Sequence, residues 1–183
     1  MANVNKLFNQ GKNSPMQVLA DAGGKIVGKT RFQKIAYLLS EAGLLEGYDF
    51  EYHHYGPYSD DLSSSLKFAS LFDELKEEER KTDWGGYYSI FSLPESEGDK
   101  IEVNQNRSKF IKPMLNISSI VLELAATAAF LAKANDNPDD FDPWEKTREL
   151  KPDKATPDRL DKAKKLYKKI LSVKTPRQLP KIA

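Results

Sequence analysis

The residues best suited to acid–base or metal chemistry in this sequence are few, and their spacing does not favour catalysis. The two histidines, His53 and His54, are adjacent. Neighbours on a strand point to opposite faces, so these imidazoles cannot hold one metal ion together. Asp60 and Asp61 follow a serine, where the dipole of a new helix favours acidic side chains. The aspartates in 136–142 lack the glycine and the spacing of a calcium loop. None of these residues predicts a metal or catalytic site.

One segment, Gly23 to Thr30, matches the phosphate-loop pattern G-x-x-x-x-G-K-T. Such a loop follows a hydrophobic strand of a parallel sheet and cradles phosphates with its backbone N–H groups. The residues before Gly23 have a helical pattern instead, so we interpret the match as a glycine pair that ends one helix before the next begins. The chain has no cysteine, which removes thiolate ligands and cysteine nucleophiles. We expect no metal, no cofactor and no enzymatic activity.

The composition is typical of a single globular domain. The chain has 183 residues, 39% of them hydrophobic and 30% charged, which is enough to fill one core. The absence of cysteine excludes a disulfide-stapled secreted scaffold, and residues 1–10 contain no apolar signal run. The longest apolar stretch, Ile117 to Ala134, is rich in alanine and contains Glu123, which favours a buried helix over a membrane span. We expect a cytoplasmic protein with no membrane contact.

The first third of the chain predicts three helices and a strand. Ser14 and Pro15 begin a helix that ends at Gly23, and a second helix covers about 29–42. Its apolar stripe should face a core, and its other side should be the outer face. The stripe is Phe32, Ile35, Ala36 and Leu39, and the outer face is Thr30, Gln33, Lys34, Tyr37 and Glu41. Residues 48–55 alternate as a strand. Ser59 caps a third helix, with 74–81 as its charged, solvated extension.

The rest of the chain predicts a hairpin followed by helices. Residues 87–93 and 100–103 have strand patterns around a turn at 95–99, and helices followed by such a hairpin are typical of a winged helix. The fold class we predict is α+β and mostly helical: a winged-helix-like N-terminal part with a small antiparallel sheet, and a C-terminal helical part packed around a buried central helix. We divide the chain into an N-terminal extension (1–14), one domain (15–174) and a flexible tail (175–183).

Positive charge is concentrated near the C-terminus. Residues 146–183 contain 13 Lys or Arg against 4 Asp or Glu, whereas residues 1–145 contain 15 against 23. The last helix, which begins at Thr156 and Pro157, has an apolar inner face and a basic outer face. The outer face consists of Lys162, Lys164, Lys165, Lys168 and Lys169. These lysines could contact nucleic acid or an acidic partner, or they could balance the acidic remainder of the fold.

An aromatic cluster follows the predicted strand. It comprises Tyr52, His54, Tyr55 and Tyr58. Such side chains suit binding interfaces because they bury a large area with few rotatable bonds. Packing of the first helices against the sheet would explain them equally well, and both roles can hold for different members.

Two motifs resemble those of YwgA-like proteins and the wider Panacea-domain group. Residues 28–39, GKTRFQKIAYLL, are similar to the family helix K-T-x-L-Q-K-L-x-Y-L-L, with Phe32 in place of a leucine. Residues 47–50 and then 55–59, YGPYS, resemble the family's strand and turn before a helix. Further similarity in 122–131 and 148–153 extends the resemblance over about 15–171.

The resemblance implies a fold similar to winged helices and a role as an antitoxin or phage-defence component that binds a protein partner directly. It implies no catalytic residues. The partner-binding residues we predict are Arg31, Lys34, Tyr37, His54, Tyr55 and Tyr58. The alternative is a winged-helix nucleic-acid-binding regulator that uses the turn at 95–99 or the basic last helix. The acidic start of the helix after Ser59 argues against that alternative, and the oligomeric state stays open.

Overall fold

The computed structural model describes residues 11–95, 100–135 and 141–182. It is a mostly helical α+β fold with small antiparallel sheets, as the sequence predicts. The helices of the described residues are α1 (Pro15–Asp21), α2 (Lys29–Glu41), α3 (Asp60–Leu71), α4 (Gln105–Leu115), α5 (Ser119–Ala134), α6 (Pro143–Leu150) and α7 (Pro157–Leu171). The strands are β1 (Lys25–Val27), β2 (Glu51–His53), β3 (Gly56–Tyr58), β4 (Lys76–Lys81) and β5 (Tyr87–Ser92).

The helix starts follow the capping residues read from the sequence. Ser14 caps α1 by accepting from the Gln17 N–H at 3.1 Å, and Ser59 caps α3 by accepting from the Leu62 N–H at 3.2 Å. Thr156 accepts from the N–H of Arg159 at the start of α7, although this contact is long at 3.4 Å. In each case a side-chain oxygen satisfies a backbone donor that the first helical turn leaves without a partner.

The central helix of the fold is α5, as predicted. All residues from Val121 to Ala129 are buried, and they include two polar ones, Glu123 and Thr127. Helices α2, α6 and α7 and strand β3 pack around α5, which explains why it is apolar on every side. The single acidic residue at its centre must therefore find its partners inside the protein.

The larger sheet has the antiparallel order β1-β5-β4, and two predictions about it were wrong. Residues 76–81 do not extend α3 but form β4, which pairs with β5 along its whole length. Their Glu, Lys and Arg residues favour a helix in isolation, yet α3 ends at Leu71 and Asp73 takes a positive φ of 57°. Residues 100–103 do not form the returning strand, because β4 and β1 already flank β5.

The sequence pattern did not predict β1, and the hairpin turn was predicted at the wrong residues. Strand β1 lies within the Gly23–Thr30 segment, where Ile26 faces Phe91 of β5 across the sheet. The turn between β4 and β5 spans Thr82–Gly86. The turn predicted at Glu95–Asp99 lies almost wholly outside the described residues. Helix α1 precedes Gly23, which confirms the helical context that argued against a phosphate loop.

The strand predicted over 48–55 is much shorter in the structure. Strand β2 covers only Glu51–His53, and β3 runs back beside it, with His53 opposite Gly56. The turn consists of His54 and Tyr55. Gly56, directly after the turn, adopts a positive φ of 83°, which residues with a side chain rarely adopt. The chain therefore reverses at His54 and Tyr55, and Gly56 and Pro57 belong to a second strand.

The end segments are packed more firmly than predicted. The described part of the N-terminal extension is tied to the domain, since the Arg107 guanidinium donates to the carbonyl of Lys12 at 2.6 Å. The tail predicted to be flexible is also packed: Leu179 is 3% exposed, and Tyr167 donates its hydroxyl to the Pro180 carbonyl at 2.8 Å. The backbone N–H of Arg177 also donates to the carbonyl of Ala42 at the end of α2.

Across the described ranges, every helix is too short or too polar to span a bilayer. Within the same ranges, the histidine and carboxylate side chains form no group of three or more that could hold a metal ion.

Candidate functional site

The most distinctive surface feature lies between β2 and α3 and consists of the last turn residue, Tyr55, and strand β3; we call it the Tyr55–Tyr58 turn. Gly56 and Pro57 are buried, whereas 55% of the Tyr55 side chain is exposed. The Tyr55 ring lies edge-on to His54 at a centroid distance of 4.8 Å, and the Lys154 ammonium sits 4.5 Å from its centroid. An exposed aromatic ring held by two neighbours loses little conformational entropy on binding, which suits it to an interface.

Gln33 of α2 fixes the end of this turn. Its side-chain amide donates to the Ser59 carbonyl at 3.0 Å, and its oxygen accepts from the Ser59 N–H at 2.9 Å. The same amide reaches the Ser63 hydroxyl at 3.2 Å, and that hydroxyl bonds Tyr58 at 2.5 Å. A glutamine that pairs with both backbone groups of one residue fixes its position and orientation. The glutamine of the α2 motif therefore positions the serine that ends the YGPYS motif.

Lys34 fixes the middle of the turn in the same way. Its side chain is 1% exposed, and its ammonium donates to the Pro57 carbonyl at 2.6 Å. Behind it, the buried Glu123 accepts from Lys151 at 2.7 Å and from Lys154 at 2.9 Å. Lys151 also donates to the carbonyl of His54 at 3.0 Å. Lysines from two separate regions of the chain thus hold the backbone of one hairpin.

These four charged side chains form a cluster, which we call the lysine cluster: the buried Lys34, Glu123 and Lys151, and the half-buried Lys154. One carboxylate faces three ammonium groups, so positive charge is in excess. Lys34 forms no ion pair with any carboxylate among the described residues. Burial lowers the pKa of Lys34 from 10.5 to about 8, with repulsion from Lys151 and Lys154 adding to the effect and Glu123 opposing it.

This shift predicts an unusual dependence of stability on pH. The unfolded chain keeps Lys34 protonated up to a pKa near 10.5, whereas the folded protein loses that proton near pH 8. Between these values the unfolded state binds more protons, so the folded state gains stability as the pH rises. We expect the unfolding free energy of the wild type, relative to Lys34→Met, to increase by up to about 3 kcal/mol across this window. Urea unfolding from pH 7 to 10.5 measures it.

The control for this experiment is Lys109→Met, which removes an exposed lysine of α4. Its stability relative to the wild type should stay level over the same pH range. A level difference for Lys34→Met as well would show that Lys34 keeps its ordinary pKa in the folded protein.

A cavity of about 350 Å³ lies beside the turn, and we call it the tyrosine cavity. It is lined by Lys29, Thr30, Gln33, Lys34, Tyr55, Tyr58, Ser63, Leu66, Lys67, Glu77 and Phe91. A neighbouring cavity of about 470 Å³ shares Lys29 and Thr30 with it and extends to Trp84 and Tyr87. These last two side chains are 85% and 70% exposed. Two adjoining hollows bordered by exposed aromatic rings thus surround the start of α2.

The predicted partner-binding residues separate into two groups. His54 and Tyr55 are exposed and Tyr58 is half-buried, so these three lie where a partner can reach them. The placement of Lys34 and Tyr37 on an outer face of α2 was wrong, because each is 1% exposed. The Tyr37 ring packs against Phe50 and Phe130.

Arg31, the remaining predicted contact, is half-buried. Its guanidinium donates to the carbonyls of Val27 and Ile117, at 2.7 Å and 2.6 Å. Both contacts are internal, and they hold the start of α2 against the loop before α5. The structure therefore engages Arg31 within the fold.

The sequence reasoning missed Lys151 and Lys154 as part of the site and Glu123 as its centre. A signal existed for Glu123, since a lone acidic residue in a fully buried helix requires a cation beside it. The lysines gave no periodic signal, because they lie after α6 in the segment before Thr156. Only the tertiary fold brings that segment to the hairpin.

The basic face of α7 is partly neutralised by its own acidic residues. Lys162 pairs with Asp158 at 2.8 Å, and Lys165 pairs with Asp161 at 2.7 Å, each one turn apart. Lys164 lies 5.7 Å from the centroid of the Trp144 ring. All five predicted lysines lie on the outer side of the helix, as expected, but only Lys168 and Lys169 remain without a described ion pair or ring contact.

Comparison with known proteins gives one informative relative. The uncharacterised protein YwgA of Bacillus subtilis (strain 168) is 31% identical to this chain, over 63% of this chain and 70% of that protein. No family model matches the chain.

Proposed function

This chain belongs to the YwgA family, and we propose that it is a non-enzymatic protein–protein interaction module of antitoxin or phage-defence type. It acts by stoichiometric binding of a protein partner. The observation that carries the proposal is the group of exposed aromatic side chains around the start of α2: Tyr55, Trp84 and Tyr87. Together with the two cavities they border, we call this surface the aromatic face.

The aromatic face has the features of a binding surface. Tryptophan and tyrosine contribute most of the binding energy in many interfaces, particularly beside a pocket that a partner side chain can fill. A tryptophan that is 85% exposed has no role in the described core. The hairpin that carries Tyr55 is fixed by Gln33 and the lysine cluster, so a partner would meet a preformed surface there and lose less entropy on binding.

The antitoxin or defence assignment is supported by the resemblance of the two motifs to the Panacea-domain group. It is also supported by the chain order α1, β1, α2, α3, β4, β5, with β1 paired to β5, which resembles the order of a winged helix once the separate β2–β3 hairpin between α2 and α3 is set aside. In this interpretation α3 is the helix after the turn, and Thr82–Gly86 forms the wing.

The same arrangement makes the nucleic-acid alternative less favourable. Helix α3 begins with Asp60 and Asp61, and the turn that forms the wing contains Asp83. Duplex DNA is contacted mainly through its phosphates, so these acidic groups would oppose binding at both elements. Only part of the basic face of α7 is free of internal ion pairs.

A site-specific cross-link tests the proposal. A photo-cross-linking phenylalanine analogue at Tyr87, in the native host, should capture a protein that the same analogue at Val103 does not, since Val103 lies outside the aromatic face. The purified partner should then bind one-to-one in calorimetry. Trp84→Ala and Tyr55→Ala should each weaken binding about thirtyfold, as for interface hot spots worth about 2 kcal/mol.

Two further measurements discriminate between the functions. Co-expression with the wild type should relieve any growth arrest caused by the partner alone, and Trp84→Ala should fail to do so. Fluorescence anisotropy with random and locus-derived duplexes should show weak, salt-sensitive binding without sequence preference. Sequence-specific binding near 10⁻⁸ M at physiological salt, roughly the affinity of a dedicated DNA reader, would replace the protein-partner proposal with the nucleic-acid one.

A further inference from the structure

The tyrosine cavity combines a positively charged inner wall with apolar sides. Lys29, Lys34 and Lys67 line it, and Glu77 is the only acidic residue among the lining side chains. Glu77 is already paired with Lys29 at 2.9 Å. Lys67 interacts with Glu77 and Lys34 with Glu123 electrostatically, without a close ion pair among the described residues. The lining still holds three ammonium groups against one carboxylate, so positive charge is in excess.

Lys34 forms the inner wall of the cavity, and its charge is buried. A buried ammonium group is costly unless an anion lies beside it, and the acceptor found for Lys34 is a neutral carbonyl, that of Pro57. The carboxylate of Glu123 also attracts Lys34, but it is shared with Lys151 and Lys154, which it pairs directly. An anion in the cavity would supply the missing countercharge.

The start of α2 adds to this attraction. Lys29 and Thr30, the first residues of the helix, line the cavity, and Gly28 before them offers no side chain to cap the helix. The backbone N–H groups of a first helical turn carry partial positive charge. The helix end and the two lysines therefore favour the same sign of ligand.

The remaining walls select the ligand further. Leu66 and Phe91 are apolar, and the rings of Tyr55 and Tyr58 complete the sides. The polar groups of Gln33 and Ser63 are already bonded to Ser59 and Tyr58. Such walls suit an apolar body more than the many hydroxyl groups of a sugar.

We propose that the tyrosine cavity is a binding site for an organic carboxylate, with the acid at Lys34 and Lys67 and an apolar or aromatic body between the tyrosine rings. The carboxylate can belong to a free small molecule or to a peptide end. This site goes beyond the protein-interaction function, because it would bind its ligand when no protein partner is present.

Benzoate is the probe, and benzamide is its matched neutral control. Backbone amide signals of Thr30, Tyr58 and Ser63 should shift saturably with benzoate in two-dimensional NMR, and benzamide should bind at least about tenfold more weakly, as for loss of a charge-assisted hydrogen bond. Lys34→Met should weaken benzoate binding by a similar factor, whereas Lys109→Met should leave it unchanged. Equal binding of benzoate and benzamide would overturn the proposal.

A second variant and a second condition keep the test decisive. If Lys34→Met does not fold, Lys67→Met at the exposed rim should still weaken benzoate binding several-fold; unchanged affinity would count against the site. Benzoate affinity should also fall as the pH rises above about 8, where Lys34 loses its proton. The charged and titratable groups around Lys34 are Glu123, Lys151, Lys154, Lys29, Lys67, Glu77, Tyr55 and Tyr58.

Two peptides distinguish the sources of the carboxylate. A short peptide that ends in phenylalanine with a free carboxylate should compete with benzoate if the site takes chain ends, and its amidated form should not compete. Competition by neither peptide, with benzoate still bound, assigns the cavity to small molecules. Because the readout uses no protein partner, a failed partner capture leaves this result intact, and absent benzoate binding leaves the partner proposal intact.

Discussion

Replacing Asp21 by asparagine is expected to lower the free energy of unfolding by about 3–5 kcal/mol, the usual loss when one member of a buried ion pair is removed. Asp21 ends α1 and is 2% exposed, and its carboxylate lies 2.7 Å from the guanidinium of Arg107, which is also 2% exposed. The substitution keeps the shape of the side chain and removes its charge. Urea unfolding, followed by circular dichroism at neutral pH, measures the loss.

The expected loss of stability is large because Arg107 would stay buried without its carboxylate partner. The other described acceptor of its guanidinium is the Lys12 carbonyl at 2.6 Å. A buried guanidinium with only a neutral acceptor retains most of its desolvation cost. Asp21 also accepts from the Asn104 N–H at 2.7 Å and from Gln17 at 3.0 Å, so it joins α1, α4 and the loop between β5 and α4.

Two controls separate the ion pair from a general sensitivity to mutation. The double variant Asp21→Asn with Arg107→Met should lose less than the sum of the two single variants, because no unpaired charge then remains buried. Asp158→Asn removes an exposed ion pair with Lys162 and should change stability little. Strict additivity in the double variant would contradict the account given for Asp21 and Arg107.

Helices and strands could be predicted where residues close together in the sequence determine them. They could not be predicted where contacts between distant residues decide the structure. Capping residues at Ser14, Ser59 and Thr156 predicted three helix starts correctly, because each cap acts within its own first turn. Strand β4 was mispredicted because its composition favours a helix, whereas pairing with β5, a nonlocal contact, decides its structure. Strand β1 was missed because three residues are too few to show an alternating pattern.

The candidate site was predictable in part for the same reason. His54 and Tyr55 were predicted as partner contacts within a strand over 48–55, whereas their exposure comes from the turn they form. Lys34 was assigned to the surface because it lies outside the apolar stripe of α2, whereas the structure buries it and gives its ammonium the Pro57 carbonyl as an acceptor. The structure brings the helix motif at 28–39 and the YGPYS motif at 55–59 into contact. Gln33 and Lys34 of the helix hold the backbone of Ser59 and Pro57.

Replacing Gly56 by valine should lower the unfolding free energy by about 3–5 kcal/mol, since backbone strain and overpacking add at this position. Gly56 has a φ of 83°, and a Cβ atom there would lie 2.8 Å from the Thr127 hydroxyl oxygen and 3.7 Å from Cε of Lys34. These atoms belong to the buried centre of the fold, which cannot move aside cheaply. Urea denaturation of the purified variant measures the loss.

A matched pair of alanine variants separates the two contributions. Gly24 has a nearly equal φ of 87°, but a Cβ atom there would meet nothing within 4 Å. Gly24→Ala should therefore lose only about 1–2 kcal/mol of backbone strain, and Gly56→Ala should lose more. Thr127→Ala should restore part of the Gly56→Ala loss, because it removes the colliding oxygen, which has no hydrogen-bond partner among the described residues. Equal losses for the two alanine variants, with no rescue, would show that Gly56 is required only for its backbone conformation and not for its contact with α5.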